Sequence, residues 1–127
     1  MKQKLVSACY LIVGLINFAP LMGVLGQARL SAMYGLGELS PDLLLLMQHR
    51  AVLFGIIGGL ILWSVFKTSL RPIAAVAGFI SMITYLVLAF ASDGIGDALS
   101  RIATIDTAAI ALLAGAVLLS RADKNQT

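Results

Sequence analysis

An aspartate, an arginine, a histidine, a tyrosine and an asparagine interrupt the apolar runs of this chain: Asp106, Arg50, His49, Tyr85 and Asn17. A carboxylate and a guanidinium at one depth can pair through two parallel hydrogen bonds, which offsets the penalty of an isolated charge in an apolar medium. Arg50 with Asp106 is therefore the expected central pair. His49 adds a donor whose charge changes near neutral pH, and Tyr85 and Asn17 add neutral donors and acceptors. Together the five would line a polar pocket for the head of an otherwise apolar molecule.

Four apolar stretches must position them, about Leu5 to Leu25, Leu43 to Phe66, Ile73 to Ala91 and Ile102 to Leu119. Each is near the ~20 residues that cross a ~30 Å hydrocarbon core. With 60% hydrophobic and 12% charged residues, the chain departs from the roughly 25% charge of a soluble domain. The longest polar stretch, Gly26 to Asp42, is too short for a core of its own. The expected fold is all-α: one integral membrane four-helix bundle over residues 1–127, with helices at about 5–25, 41–66, 72–91 and 99–119.

Local chemistry supports these boundaries. Ser40-Pro41-Asp42 supplies an N-cap serine, a proline at the first helical position and an early acid for the helix dipole. The few residues around Lys67 to Pro72 force an antiparallel hairpin, and Ser92 to Asp97 holds two glycines in a turn. Pro20 should bend the first helix near its end. Small residues four apart (Ala51, Gly55, Gly59; Ala74, Gly78; Ala77, Ser81) allow close approach of helices, within the monomer or in a dimer.

Charge sets the orientation. With both termini cytoplasmic, Lys2, Lys4, Lys67, Arg71, Arg121 and Lys124 lie inside, and Arg29 and Arg101 outside, as the positive-inside rule requires. A rise of ~1.5 Å per residue then places His49 and Arg50 within about one turn of the outer edge of the core. Asp106 falls about 7 Å, Tyr85 roughly 9 Å and Asn17 about 12 Å from the outer ends of their segments. All four helices thus contribute to one outer-leaflet layer. Ionisable groups at such depth cost roughly 2.5 to 3.5 kcal/mol each on insertion scales, which makes each a functional candidate. The alternatives are that Arg50 snorkels to headgroups, His49 sits in the interface and Asp106 bonds to Thr104 or Thr107.

Several classes are set aside. The net charge of +3 is scattered over helix ends, so nucleic acid is not an expected partner. One histidine and one cysteine, Cys9, form no metal-ligand set, and no metal or other cofactor is expected. Val6-Ser7-Ala8-Cys9 lacks the apolar region a lipoprotein signal needs. The run before Gly26-Gln27-Ala28 is too long for a typical signal core, so the first segment is expected to remain as a span.

Pro20-Leu21-Met22-Gly23-Val24-Leu25-Gly26, Leu36-Gly37, Met47-Gln48-His49-Arg50-Ala51-Val52-Leu53-Phe54-Gly55 and Asp106 carry a resemblance to small bacterial four-span membrane proteins of the DoxX-like superfamily. The resemblance covers nearly the whole chain and implies architecture and a place in the bacterial cytoplasmic (inner) membrane. Some members of that group are labelled phosphopantetheine adenylyltransferase. That activity does not fit here: it belongs to a soluble α/β enzyme with a His-x-Gly-His type motif, whereas His49 is followed by Arg-Ala-Val.

Four functions compete. The leading one is a binding module whose outer-leaflet pocket holds a quinone, lipid or other hydrophobic metabolite, with Arg50 and Asp106 fixing its polar end. Next is a non-catalytic subunit or chaperone docking another membrane protein through its small-residue faces. A small homo-oligomeric transporter, similar in size to the small multidrug resistance proteins, is weaker, because those carry a membrane-embedded glutamate in the first helix and the first segment here has Asn17 and no acid. An enzyme using His49 and Asp106 as acid and base is weakest; no nucleophile stands beside them, and no catalytic residue is assigned.

Overall fold

The computed structural model describes residues 1–124. These form α1 (Lys2–Phe18), α2 (Gln27–Tyr34), α3 (Pro41–Phe66), α4 (Arg71–Ala91) and α5 (Asp97–Lys124), with 3₁₀ turns at Ala19–Leu25 and Thr68–Leu70. The described residues contain no strand. Four stretches are long and apolar enough to cross a membrane: Lys2–Leu25, Pro41–Phe66, Thr68–Ala91 and Asp97–Asp123.

The first stretch is not one uniform helix. Pro20 has no N–H and its ring crowds the preceding turn, so the α-helix stops at Phe18 and the chain tightens into the 3₁₀ turn. Gln48 Nε2 donates to the Val24 carbonyl at 3.1 Å, taking up an acceptor at the end of that turn. The start of α3 follows its sequence signals: Ser40 Oγ accepts from the Leu43 N–H at 3.3 Å and Pro41 opens the helix.

Gly26 to Asp42, expected as a loop, contains α2. Leu30 and Tyr34, four residues apart, share one face and are both buried, so the short helix folds back onto the other elements. Gly35 ends it at φ +64°, a left-handed conformation that glycine adopts without strain, and its N–H reaches the Ser31 carbonyl.

The long helices pack in a ring, α1 against α3 and α5, and α4 against α5 and α3. Val6, Tyr10 and Val13 of α1, Ile61 of α3, Ala74 and Met82 of α4, and Ala109, Leu113 and Ala116 of α5 form its core. At Gly58 the backbones of α3 and α1 nearly touch, and a Cβ there would collide with the Phe18 backbone nitrogen. The small-residue stripe of α3 serves packing within the chain: Ala51 and Gly55 are buried, and the Leu21 side chain covers Gly55, whereas Gly59 faces open space.

Outward, Leu45, Ile56, Trp63, Phe66, Ile73, Val87 and Phe90 are each more than half exposed. So extensive an apolar surface is consistent with contact with lipid. Lys2 pairs with Asp123 at 3.5 Å, and Arg71 donates to Gln3, so the starts of α1 and α4 and the finish of α5 share one end. This is the terminal end; α2 covers the opposite, distal end.

Candidate functional site

Arg50 lies on α3, two turns into the helix that Ser40 caps, and turns inward. Its guanidinium carbon lies 5.0 Å from the centre of the Phe54 ring, 5.4 Å from that of Tyr34 and 5.8 Å from that of Tyr85. Phe54 stands one helical turn from Arg50 on the same face, Tyr34 comes from α2 and Tyr85 from α4. Ring faces attract a cation without using its N–H groups, so the guanidinium is held in place while its in-plane donors remain available. No hydrogen bond or ion pair engages them among the described residues.

Arg50, Asp106, Tyr85 and Asn17 line one partly open cavity of about 210 Å³. Apolar side chains complete its wall, among them Ile16, Pro20, Met33, Phe54, Ile102 and Ile105. Tyr85 Oη donates to the Leu99 carbonyl at 3.0 Å, which ties α4 to α5 beside the cavity. Asn17 Nδ2 donates to the Val13 carbonyl at 3.0 Å and approaches Met82 Sδ at 3.7 Å. Its own carbonyl oxygen accepts no hydrogen bond among the described residues. Burial holds the Tyr34 phenol above its ordinary pKa; the nearby Arg50 opposes the shift and Asp106 reinforces it. At neutral pH the Tyr34 hydroxyl is therefore a proton donor.

Three expectations are corrected. Arg50 and Asp106 form no direct ion pair within 4 Å; they face the same space, with Arg50 anchored by rings instead. Neither does Asp106 lean on a neighbouring hydroxyl, because Thr104 and Thr107 donate to the Ser100 and Ala103 carbonyls of their own helix. Nor does His49 join the cluster: it is exposed and absent from the cavity wall. Consecutive residues point about 100° apart around a helix, and here that rotation leaves His49 exposed beside the inward-facing Arg50 and outside the cavity wall.

Tyr34 and Phe54 belong to the site and were not anticipated. The signals existed: Phe54 lies four residues after Arg50, and Leu30 with Tyr34 makes an apolar face between two glycines. Among the described residues, no group of His, Cys, Asp and Glu side chains is arranged to hold a metal ion.

A second polar cluster sits at the terminal end. Arg71 is 7% exposed; its Nε donates to the Ser64 carbonyl at 3.3 Å, Nη1 to Gln3 Oε1 at 3.0 Å and Nη2 to Ser7 Oγ at 2.6 Å. Tyr10 stacks beneath it at 5.4 Å and donates to its carbonyl at 3.3 Å. Between the two clusters lie Val13, Ile61, Met82, Ala109 and Leu113, none more than 1% exposed. These side chains make a dry layer. No family model, curated protein or solved structure matches this chain.

Proposed function

We propose that the protein is a multi-pass four-helix bundle of the bacterial cytoplasmic membrane, DoxX-like in architecture, that binds the polar head of an amphiphile in its distal cavity. The observation that carries this reading is a guanidinium and a carboxylate, Arg50 and Asp106, facing one cavity without satisfying each other. Both groups are half-buried in a largely apolar cavity, and a ligand with an acceptor for Arg50 and a donor for Asp106 supplies partners that the described residues do not. At about 210 Å³ the cavity is smaller than the ~300 Å³ that encloses a drug-sized molecule. It fits a ring or headgroup whose tail lies in the bilayer, as in a quinone or a lipid.

The positive-inside rule supports cytoplasmic termini, since Lys2, Lys4, Lys67, Arg71 and Arg121 belong to the terminal end and Arg29 and Arg101 to the distal one. Docking of a partner through the α3 stripe is disfavoured by the burial of Gly55 under Leu21. Transport across the bundle is disfavoured by the dry layer, because the two polar clusters share no open space.

Native mass spectrometry with solvent extraction, on detergent-purified wild type and Asp106→Asn, tests the reading. A defined apolar compound retained by wild type and lost from the variant is expected. Equal retention by both proteins, or none by either, would overturn it.

A further inference from the structure

We infer that the cavity at the terminal end binds the phosphate of an anionic glycerophospholipid, with Arg71 and Arg121 as its cationic walls. The cavity is about 340 Å³ and opens between α1, α4 and α5, with Tyr10, Arg71, Ser120 and Arg121 at its polar rim. Beneath them the wall turns apolar at Ala75, Phe79 and Val117.

Arg71 makes this more than a basic surface. Its side chain is more than nine-tenths buried, yet every group it touches is neutral: a backbone carbonyl, an amide, a hydroxyl and a ring. A guanidinium has five N–H donors, and three are used here, leaving two without an acceptor among the described residues. Asp123, which could have served as counter-ion, is engaged by Lys2 and by Gln3 Nε2 at 3.5 Å. The site therefore has fixed donors and a positive charge with no ion-pair partner among the described residues. Arg121, exposed at the rim of the same cavity and in no ion pair among the described residues, adds a second charge.

A tetrahedral phosphate with several acceptor oxygens matches two guanidinium groups and the Ser120 hydroxyl. The apolar lower wall selects a phosphate that carries acyl chains. Val76, also in that wall and 57% exposed, continues the path onto the outer face of α4, where a chain would lie in the bilayer. Basic pockets between membrane helices take anionic headgroups in this way.

The test is retention of added lipid by the purified protein in native mass spectrometry, with phosphatidylglycerol, phosphatidylcholine and inorganic phosphate offered separately. Wild type is expected to retain phosphatidylglycerol at one per chain, phosphatidylcholine weakly and inorganic phosphate not at all. Arg121→Gln should weaken phosphatidylglycerol about fivefold, the ~1 kcal/mol of one cation beside an anionic headgroup, and Arg71→Gln by more. Because Arg71→Gln also removes hydrogen bonds that join three helices, Arg121→Gln, at an exposed position, decides the matter. Lys4→Gln, at the same end but outside the cavity, should change nothing. The inference fails if Arg121→Gln retains as much lipid as wild type, if Lys4→Gln loses as much, if phosphatidylcholine binds equally, or if inorganic phosphate alone fills the site.

Discussion

Two arginines, Arg71 buried and Arg50 half-buried, are held in this chain by opposite means. Arg71 at the terminal end spends three N–H groups on Ser64, Gln3 and Ser7, and so ties α4 to α3 and α1. Arg50 toward the distal end spends none and is held by the faces of Phe54, Tyr34 and Tyr85. Hydrogen bonds to a charged group contribute about 1.5 to 3 kcal/mol each, whereas an exposed cation–π contact contributes about 0.5 to 1. One arginine thus organises the fold, and the other is positioned while its donors stay uncommitted. Charge at membrane depth does not by itself say which of these roles a residue has; the type of atom that holds it does.

Replacing Arg71 by Ala should break the comparison hardest. Ser7 and Gln3 lose their partner, and thermal unfolding in detergent, followed by circular dichroism, should show a loss of about 3 kcal/mol. If the loss matches that of Arg50→Ala, Arg71 has no special structural role.

Gly58→Ala comes next. Its Cβ would push against the Phe18 backbone, beside Asn17 in the distal cavity wall, and should cost about 2 kcal/mol in the same assay. Retention of the distal ligand should fall with it, while lipid at the terminal end stays.

Arg50→Ala sharpens the contrast from the other side. Stability should drop by about 1 kcal/mol or less, since only ring contacts are lost, yet the co-purifying amphiphile should disappear. Loss of about 3 kcal/mol instead would place Arg50 with Arg71 among the structural groups. Smallest of all is His49→Ala, expected within about 0.5 kcal/mol of wild type and without effect on ligand, because the ring is exposed beside the site.

Much of this arrangement was legible in the sequence because lipid imposes few choices. Length and hydropathy mark four spans, Ser40-Pro41 marks the start of α3, and counting rise along each helix brings Asn17, Arg50, Tyr85 and Asp106 to one depth. Depth is linear in residue number; azimuth is not so easily read. His49 shares a depth with Arg50, but its side chain projects about 100° away and stays exposed, so depth alone does not bring it to the cavity. Tyr34 is harder to read because it lies on a two-turn helix inside a polar connection. Arg71 counted only toward orientation, yet Gln3, Ser7 and Tyr10, at helical spacing on α1, already formed a polar stripe waiting for a partner.

The dry layer of Val13, Ile61, Met82, Ala109 and Leu113 has an electrical consequence. In an energised bilayer the voltage falls across the part of the protein that holds no water or mobile charge, and each elementary charge moved through 100 mV changes energy by about 2.3 kcal/mol. Arg50 and Arg71 lie on either side of that insulator, like contacts on the two plates of a capacitor. With the chain spanning the bilayer as proposed, the distal chamber would face one side and the terminal chamber the other, with the buried apolar layer between them.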